Sequence, residues 1–123
     1  MKIGTDITVV SRIESSFKRF GDKFLDKFLS EEEQKLSKKI ESIAGYWSAK
    51  EAVSKALGCG IGAELGFHDI ILYKDTKGAP HFKLSAKAQK HHKISESSLS
   101  IAHDGGFAIA VVVINQTIIK NNL

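Results

Sequence analysis

The chain has 123 residues, 42% of them hydrophobic and 26% charged, with a formal net charge of +4. This is the composition of one globular domain with enough apolar material for a core, and it excludes a disordered chain. The single cysteine, Cys59, excludes an internal disulfide framework. The mild basic excess suits an anionic partner without choosing among nucleic acid, a phosphorylated ligand and an acidic protein.

Residues 2–10 alternate Ile3, Thr5, Ile7 and Val9 against Gly4, Asp6 and Thr8, which predicts a half-buried strand with Asp6 on its second face. Asp6 and Arg12 interrupt any signal-peptide block, and the longest apolar run, residues 107–114, falls far short of the ~20 residues of a membrane span. A soluble cytoplasmic protein is expected. Ser11-Arg12-Ile13-Glu14 reads as a capping box opening a helix that ends at Gly21. Ile13, Phe17 and Phe20 form its apolar face, while Arg12 and Arg19 share another, either simply solvated or a docking face for an acidic partner.

Asp22 is placed to cap a short second helix carrying Phe24, Leu25, Phe28 and Leu29. Ser30-Glu31-Glu32-Glu33 is a further capping box, and helical pattern continues from it toward Gly58, with Gly45 as a point of division. The apolar stripe Leu36, Ile40, Ile43, Ala44, Trp47 leads into Glu51 and then Lys55. An i,i+4 Glu→Lys pair ordinarily adds ~0.2–0.5 kcal/mol to a helix. On an apolar stripe, burial raises its cost, and the pair is better read as part of a site.

Gly58-Cys59-Gly60-Ile61-Gly62 follows a helix instead of preceding one, so it does not form a phosphate-binding loop and is expected to be a flexible lip. Residues 68–75 and 81–84 read as strands joined by a turn, and 85–93 as a short polar helix. Its adjacent His91 and His92 point in different directions and are expected at the surface, not as metal ligands. Residues 98–103 and 107–114 form a hairpin through Asp104-Gly105-Gly106, with His103 at the end of its first strand, where a lone histidine is ordinarily structural or solvated. The tail, 115–123, adds Ile118 and Ile119 and is expected to fray. The expected fold is one α+β domain spanning 1–123: an N-terminal strand, helices in the first half, and an antiparallel sheet in the second half that the first strand rejoins.

Zinc-type Cys/His spacing, a nucleophile elbow, a Walker lysine, a dinucleotide fingerprint and RNA-binding aromatics among basic residues are all absent. Asp6, Glu51, Lys55 and His103 remain. Two carboxylates suit Mg²⁺, which keeps several waters and takes phosphate oxygens from a substrate, and a nearby lysine suits the phosphate itself. Phosphoryl-type transfer asks little more than positioning and charge neutralisation.

Several segments together resemble the short bacterial phosphopantetheinyl transferases, the holo-[acyl-carrier-protein] synthase family. They are Gly4-Thr5-Asp6-Ile7 with Arg12-Ile13, Phe28-Leu29-Ser30-Glu31-Glu32-Glu33, and the block Trp47-Ser48-Ala49-Lys50-Glu51-Ala52-Val53-Ser54-Lys55-Ala56-Leu57-Gly58. Gly60-Ile61-Gly62, Gly78-Ala79-Pro80 and Ser100-Ile101-Ala102-His103 continue the match over nearly the whole chain. The resemblance implies a 4′-phosphopantetheinyl transferase fold and a Mg²⁺-dependent enzyme of fatty acid biosynthesis. Such an enzyme moves 4′-phosphopantetheine from coenzyme A to a serine of apo-acyl carrier protein and releases adenosine 3′,5′-bisphosphate. It further implies Asp6 and Glu51 as metal ligands, Lys55 near the coenzyme A phosphates, His103 at the coenzyme A site, and Arg12, with Arg19, on the face that docks the carrier. A homotrimer with active sites at subunit interfaces belongs to the same implication. The chain departs from the family pattern at Tyr46-Trp47, Ser30 and Ala79, where Arg-Phe, Thr and Lys are common; none of these is a metal ligand. The general base stays open between Glu51 and a metal-ordered water. Two other classes compete: a small basic nucleic-acid- or ribosome-associated binding domain, and a purely structural oligomer subunit.

Overall fold

The computed structural model describes residues 1–117; the expected fraying of the tail at Ile118 and Ile119 lies outside them. The element order is β1 (Lys2–Val9), α1 (Val10–Phe20), α2 (Asp22–Phe28), α3 (Glu31–Gln34), α4 (Ile40–Ala56), a short 3₁₀ turn (Phe67–Asp69), β2 (Ile70–Lys74), β3 (Pro80–Leu84), α5 (Ala86–His92), β4 (Ile94–Asp104) and β5 (Phe107–Gln116). Two antiparallel sheets replace the single expected one: β1-β5-β4, with the N-terminal strand on one edge, and the separate pair β2-β3. The β4–β5 hairpin turns on Gly105 and Gly106 at φ 57° and 86°, the two positive values a two-residue primed turn requires.

Helix α4 lies across the inner face of the three-stranded sheet, and glycine at two points sets how close it comes. A Cβ on Gly4 would run into the Ala52 carbonyl oxygen and sit 2.8 Å from the Ala56 amide nitrogen. A Cβ on Gly45 would lie 2.7 Å from a methyl of Ile101 on β4. Gly45 therefore does not divide the helix, which runs unbroken from Ile40 to Ala56. Its propensity cost of about 1 kcal/mol is offset by the contact it admits. The break falls earlier, between α3 and α4, where the Ser37 hydroxyl accepts the Lys39 amide and competes with the helical ladder.

The expectation for β1 is inverted. Gly4 and Thr8 are buried against α4, while Ile3 and Ile7 are 63% and 61% exposed. Alternation identified the strand correctly but not which face is inward; the close crossing at Gly4 leaves room there only for small residues. Ile3 and Ile7 continue onto Phe107, Ile109 and Val111 of β5, also exposed, through the pairings Ile7↔Ile109 and Val9↔Phe107. The outer face of the sheet is thus an apolar stripe.

Two caps also differ from expectation. Helix α1 begins at Val10 without a side-chain cap, so the Ser11–Glu14 box is not used, and Asp22 stands inside the first turn of α2 behind Gly21. The Ser30 box forms as read: Ser30 N–H donates to Glu33 Oε1 at 2.7 Å and the Glu33 amide donates to Ser30 Oγ at 3.2 Å. The loop after α4, expected to be a flexible lip, is anchored by the Cys59 and Gly60 amides on the Ser54 carbonyl and by Gly62 on Leu65.

Candidate active site

Two residues beyond the tight crossing at Gly4, Asp6 leaves β1 on the same face, and α4 presents Ser48, Glu51 and Lys55 to it across successive turns. Lys55 Nζ donates to Asp6 Oδ1 at 2.9 Å, with the lysine side chain 54% exposed and the aspartate 12%. Thr8, the next inward residue of β1, donates to Asp6 Oδ2 at 3.1 Å and is itself hydrogen-bonded to the Ser48 hydroxyl. Lys55 therefore turns to Asp6 instead of forming the i,i+4 pair with Glu51. Burial, and then the neighbouring Asp6 charge, push the Glu51 carboxyl above its ordinary range, with Lys55 pulling the other way.

Asp6, Thr8, Arg12, Trp47 and Glu51 line a cleft of about 430 Å³, with Phe24 on the aromatic side. That wall belongs to a cluster in which Trp47 lies 5.0 Å from Phe28 and 5.0 Å from Phe67, ring centre to ring centre. The cleft combines an oxygen-only donor set, two crowded carboxylates and cations within reach, the features of a site for a divalent ion and phosphate groups. Mg²⁺ fits this donor set: a divalent charge would favour the ionised Glu51 that burial and then Asp6 disfavour, and carboxylate oxygens keep lone pairs beyond those given to Thr8 and Lys55.

His103 is not brought to the carboxylates. It lines a second cleft of about 420 Å³ with Val10, Glu41 and the Gly105-Gly106 turn. Arg12 reaches the first cleft, while Arg19 lies outside it with its guanidinium 5.1 Å over the Phe20 ring.

This chain belongs to the 4′-phosphopantetheinyl transferase superfamily. The family's model matches residues 2–112. The holo-[acyl-carrier-protein] synthase of Sulfurovum sp. is 56% identical over 115 residues, covering 94% of this chain and 97% of that protein. The enzyme of the same name from Campylobacter lari is 56% identical over 93% of this chain and 98% of its own length. Among solved structures, Helicobacter pylori holo-[acyl-carrier-protein] synthase in complex with coenzyme A superposes with a TM-score of 0.89 at 51% identity, covering 92% of this chain and 99% of that one.

Sequence reasoning missed the supports around these residues. Thr8 and Ser48 hold Asp6; their only signal is position, Thr8 two residues along the strand from Asp6 and Ser48 three before Glu51. The charged pair buried against α4 is Lys50–Glu33, not Glu51–Lys55. Lys50 Nζ meets Glu33 Oε1 at 2.9 Å with side chains 0% and 2% exposed. The Phe67 carbonyl accepts a second Lys50 proton at 3.0 Å, and Leu72 N–H donates to Glu33 Oε2 at 2.8 Å. Position 46, where the family often carries arginine, holds a Tyr46 that is 5% exposed, in the core and away from the cleft. His92, expected at the surface, is also buried, at 7% exposed.

Proposed function

We propose that this protein is a holo-[acyl-carrier-protein] synthase: it transfers 4′-phosphopantetheine from coenzyme A to a serine of apo-acyl carrier protein, releasing adenosine 3′,5′-bisphosphate. The observation that carries the site is the meeting of Asp6 and Glu51 in one cleft, with Lys55 bonded to Asp6. Asp6 and Glu51 would hold Mg²⁺, which supplies charge neutralisation at the pyrophosphate when bound. Thr8 and Ser48 fix the Asp6 carboxylate, so little reorganisation is left for the moment of reaction. Lys55 stands as a half-exposed cation beside the carboxylates, suited to the charge that grows on the departing bisphosphate. The carrier serine attacks the β-phosphorus in line; its proton passes to a base within hydrogen-bond reach, Glu51 or an ordered water. Arg12 at the cleft and Arg19 further along α1 present positive charge to an acidic carrier.

Assembly as a homotrimer with interfacial sites is part of this reading. The apolar outer stripe of Ile3, Ile7, Phe107, Ile109 and Val111 supports it, since a large exposed apolar face marks an interaction surface. The separation of His103 from the carboxylates supports it too: on this reading the histidine would serve coenzyme A at a neighbouring subunit's site. No described helix is long and apolar enough to cross a membrane, which accords with a cytoplasmic enzyme. The nucleic-acid-binding alternative loses ground, since a cleft lined by two carboxylates repels a phosphate backbone unless a cation intervenes.

Incubation with coenzyme A, Mg²⁺ and apo-acyl carrier protein, followed by mass spectrometry of the carrier, tests the proposal. A gain of one phosphopantetheine, abolished by EDTA, is expected. An unchanged carrier mass would overturn the transfer, and a gain insensitive to EDTA would overturn the metal.

A further inference from the structure

At the far end of α4, one turn past Lys55, Cys59 faces Glu64 from the following loop and His92 from the end of α5. One ligating atom of each, a sulfur, an oxygen and a nitrogen, lies within 4.8 Å of the other two. His92 is 7% exposed, and its Nε2 is buried with no hydrogen-bond partner among the described residues. The nearest anion is Glu64 Oε2 at 3.6 Å, beyond hydrogen-bond range. A buried imidazole nitrogen left without a partner beside a thiol and a carboxylate is incomplete as it stands, since buried polar atoms are ordinarily satisfied. The other His92 environment is built to hold it: its carbonyl accepts Gln116 Nε2 at 2.8 Å, and the adjacent His91 ring stands perpendicular at 4.7 Å. His91 Nε2 reaches to 3.9 Å from the same Glu64 oxygen, which places a second imidazole on the open side.

We infer that Cys59, Glu64 and His92 form a second metal site, separate from the carboxylate cleft and selective for a borderline-soft divalent ion of the Zn²⁺ class. Thiolate and imidazole donors suit such an ion and not Mg²⁺ or Ca²⁺, which take oxygen. A tetrahedral ion with bonds of about 2.0–2.3 Å sets its ligand atoms roughly 3.3–3.8 Å apart. His92 Nε2 and Glu64 Oε2, 3.6 Å apart, already stand at that spacing, and every separation in the cluster is within 4.8 Å. Two anionic ligands and one neutral imidazole balance the charge of the ion. None of the three lines the Asp6–Glu51 cleft. The consequence is structural: the ion clips the loop that follows α4 to the end of α5, which the Gln116 contact already ties to β5.

The test uses the full chain, stripped with a chelator and titrated with Co²⁺ and, separately, Zn²⁺. Wild type should bind Co²⁺ with tetrahedral visible bands and a near-ultraviolet thiolate-to-cobalt band, and Zn²⁺ should raise its unfolding temperature. Cys59→Ser, a near-isosteric change at a half-buried position, should lose the thiolate band and weaken Zn²⁺ binding by about tenfold or more. His92→Gln should weaken Zn²⁺ binding similarly, and Glu51→Gln should leave the thiolate band intact. A wild type without the thiolate band, or equal Zn²⁺ affinity and thermal gain in wild type and Cys59→Ser, would overturn the site. Because Cys59→Ser keeps the size of the side chain, the conclusion does not depend on whether His92→Gln folds.

Discussion

Helix α4 carries two lysine–carboxylate pairs, each closed at 2.9 Å, and they do opposite work. Lys50 and Glu33 are sealed from water, and beyond their mutual bond the two charges are held by backbone groups of Ser30, Phe67 and Leu72. Lys55 and Asp6 meet at a cleft, with the lysine more than half exposed and a second carboxylate, Glu51, left over. The first pair is complete and rigid, and it locks α3, α4, the 3₁₀ turn and β2 together. The second leaves Glu51 without an ion-pair partner at 4.0 Å or less among the described residues, at a cleft open to a ligand. Lys50 and Glu51 are neighbours in sequence, but about 100° of helical rotation sends one into the interior and the other into the cleft. Bond length alone does not distinguish a structural ion pair from a functional one; completeness does.

The comparison breaks most severely at Glu33. Glu33→Leu removes the side-chain half of the α3 capping box and leaves Lys50 buried with one carbonyl, which should cost about 3–5 kcal/mol in chemical denaturation. Burial already holds the Lys50 pKa below its ordinary value, opposed by Glu33. Without Glu33 the folded state sheds the Lys50 proton more readily than the unfolded chain does, so the variant should regain stability as pH rises toward the ordinary lysine range. A denaturation series in pH checks the sign.

Glu51→Gln should do the reverse: lose activity and keep the fold. Transfer to the carrier should fall by about 100-fold or more, read from the carrier's mass over time. Since burial and Asp6 raise the Glu51 pKa, the folded state binds more protons than the unfolded chain between the ordinary glutamate value and the raised one. Stability therefore declines as pH rises through that window. The metal-free Gln variant should show a higher unfolding temperature than wild type at neutral pH and a weaker dependence on acid.

Gly4→Ala tests the crossing that brings the two carboxylates together. Its Cβ meets backbone of α4 rather than a movable side chain, so the helix must shift; a loss of about 1–3 kcal/mol is expected, with activity falling more than stability explains. The smallest effect belongs to the exposed basic face. Arg19→Glu should raise the KM for carrier protein by up to about fivefold, with kcat unchanged and the difference shrinking at high salt.

Much of the site was legible in the primary structure. Asp6, Glu51 and Lys55 stand where the motif spacing implied, because a G-x-D strand and a helix block are local patterns whose side-chain directions follow from their own periods. The strand, the Gly105-Gly106 hairpin and the Ser30 cap were readable for the same reason. Periodicity could not tell which face of β1 is inward, since the deciding contact, Gly4 on Ala52, joins residues 48 positions apart. It could not identify Lys50 as the buried cation, because Glu33 and the Phe67 carbonyl reach it from other segments. The burial of His92 escaped it for the same lack of long-range information, while its neighbour His91 is exposed as expected.

Sequence alone determined the family and the α+β class and singled out the two carboxylates that meet in the cleft, because those rest on residue type at short spacing. Only the tertiary structure decided which pairs close, which charges are satisfied and which are left over. Those properties depend on approach between distant segments: β1 against α4 at Gly4, α3 against α4 at Lys50, and the loop after α4 against α5 at His92. The separation of His103 from Asp6 and Glu51 belongs to that second group, since the path of the sheet, and not the motif around the histidine, sets it in a different cleft.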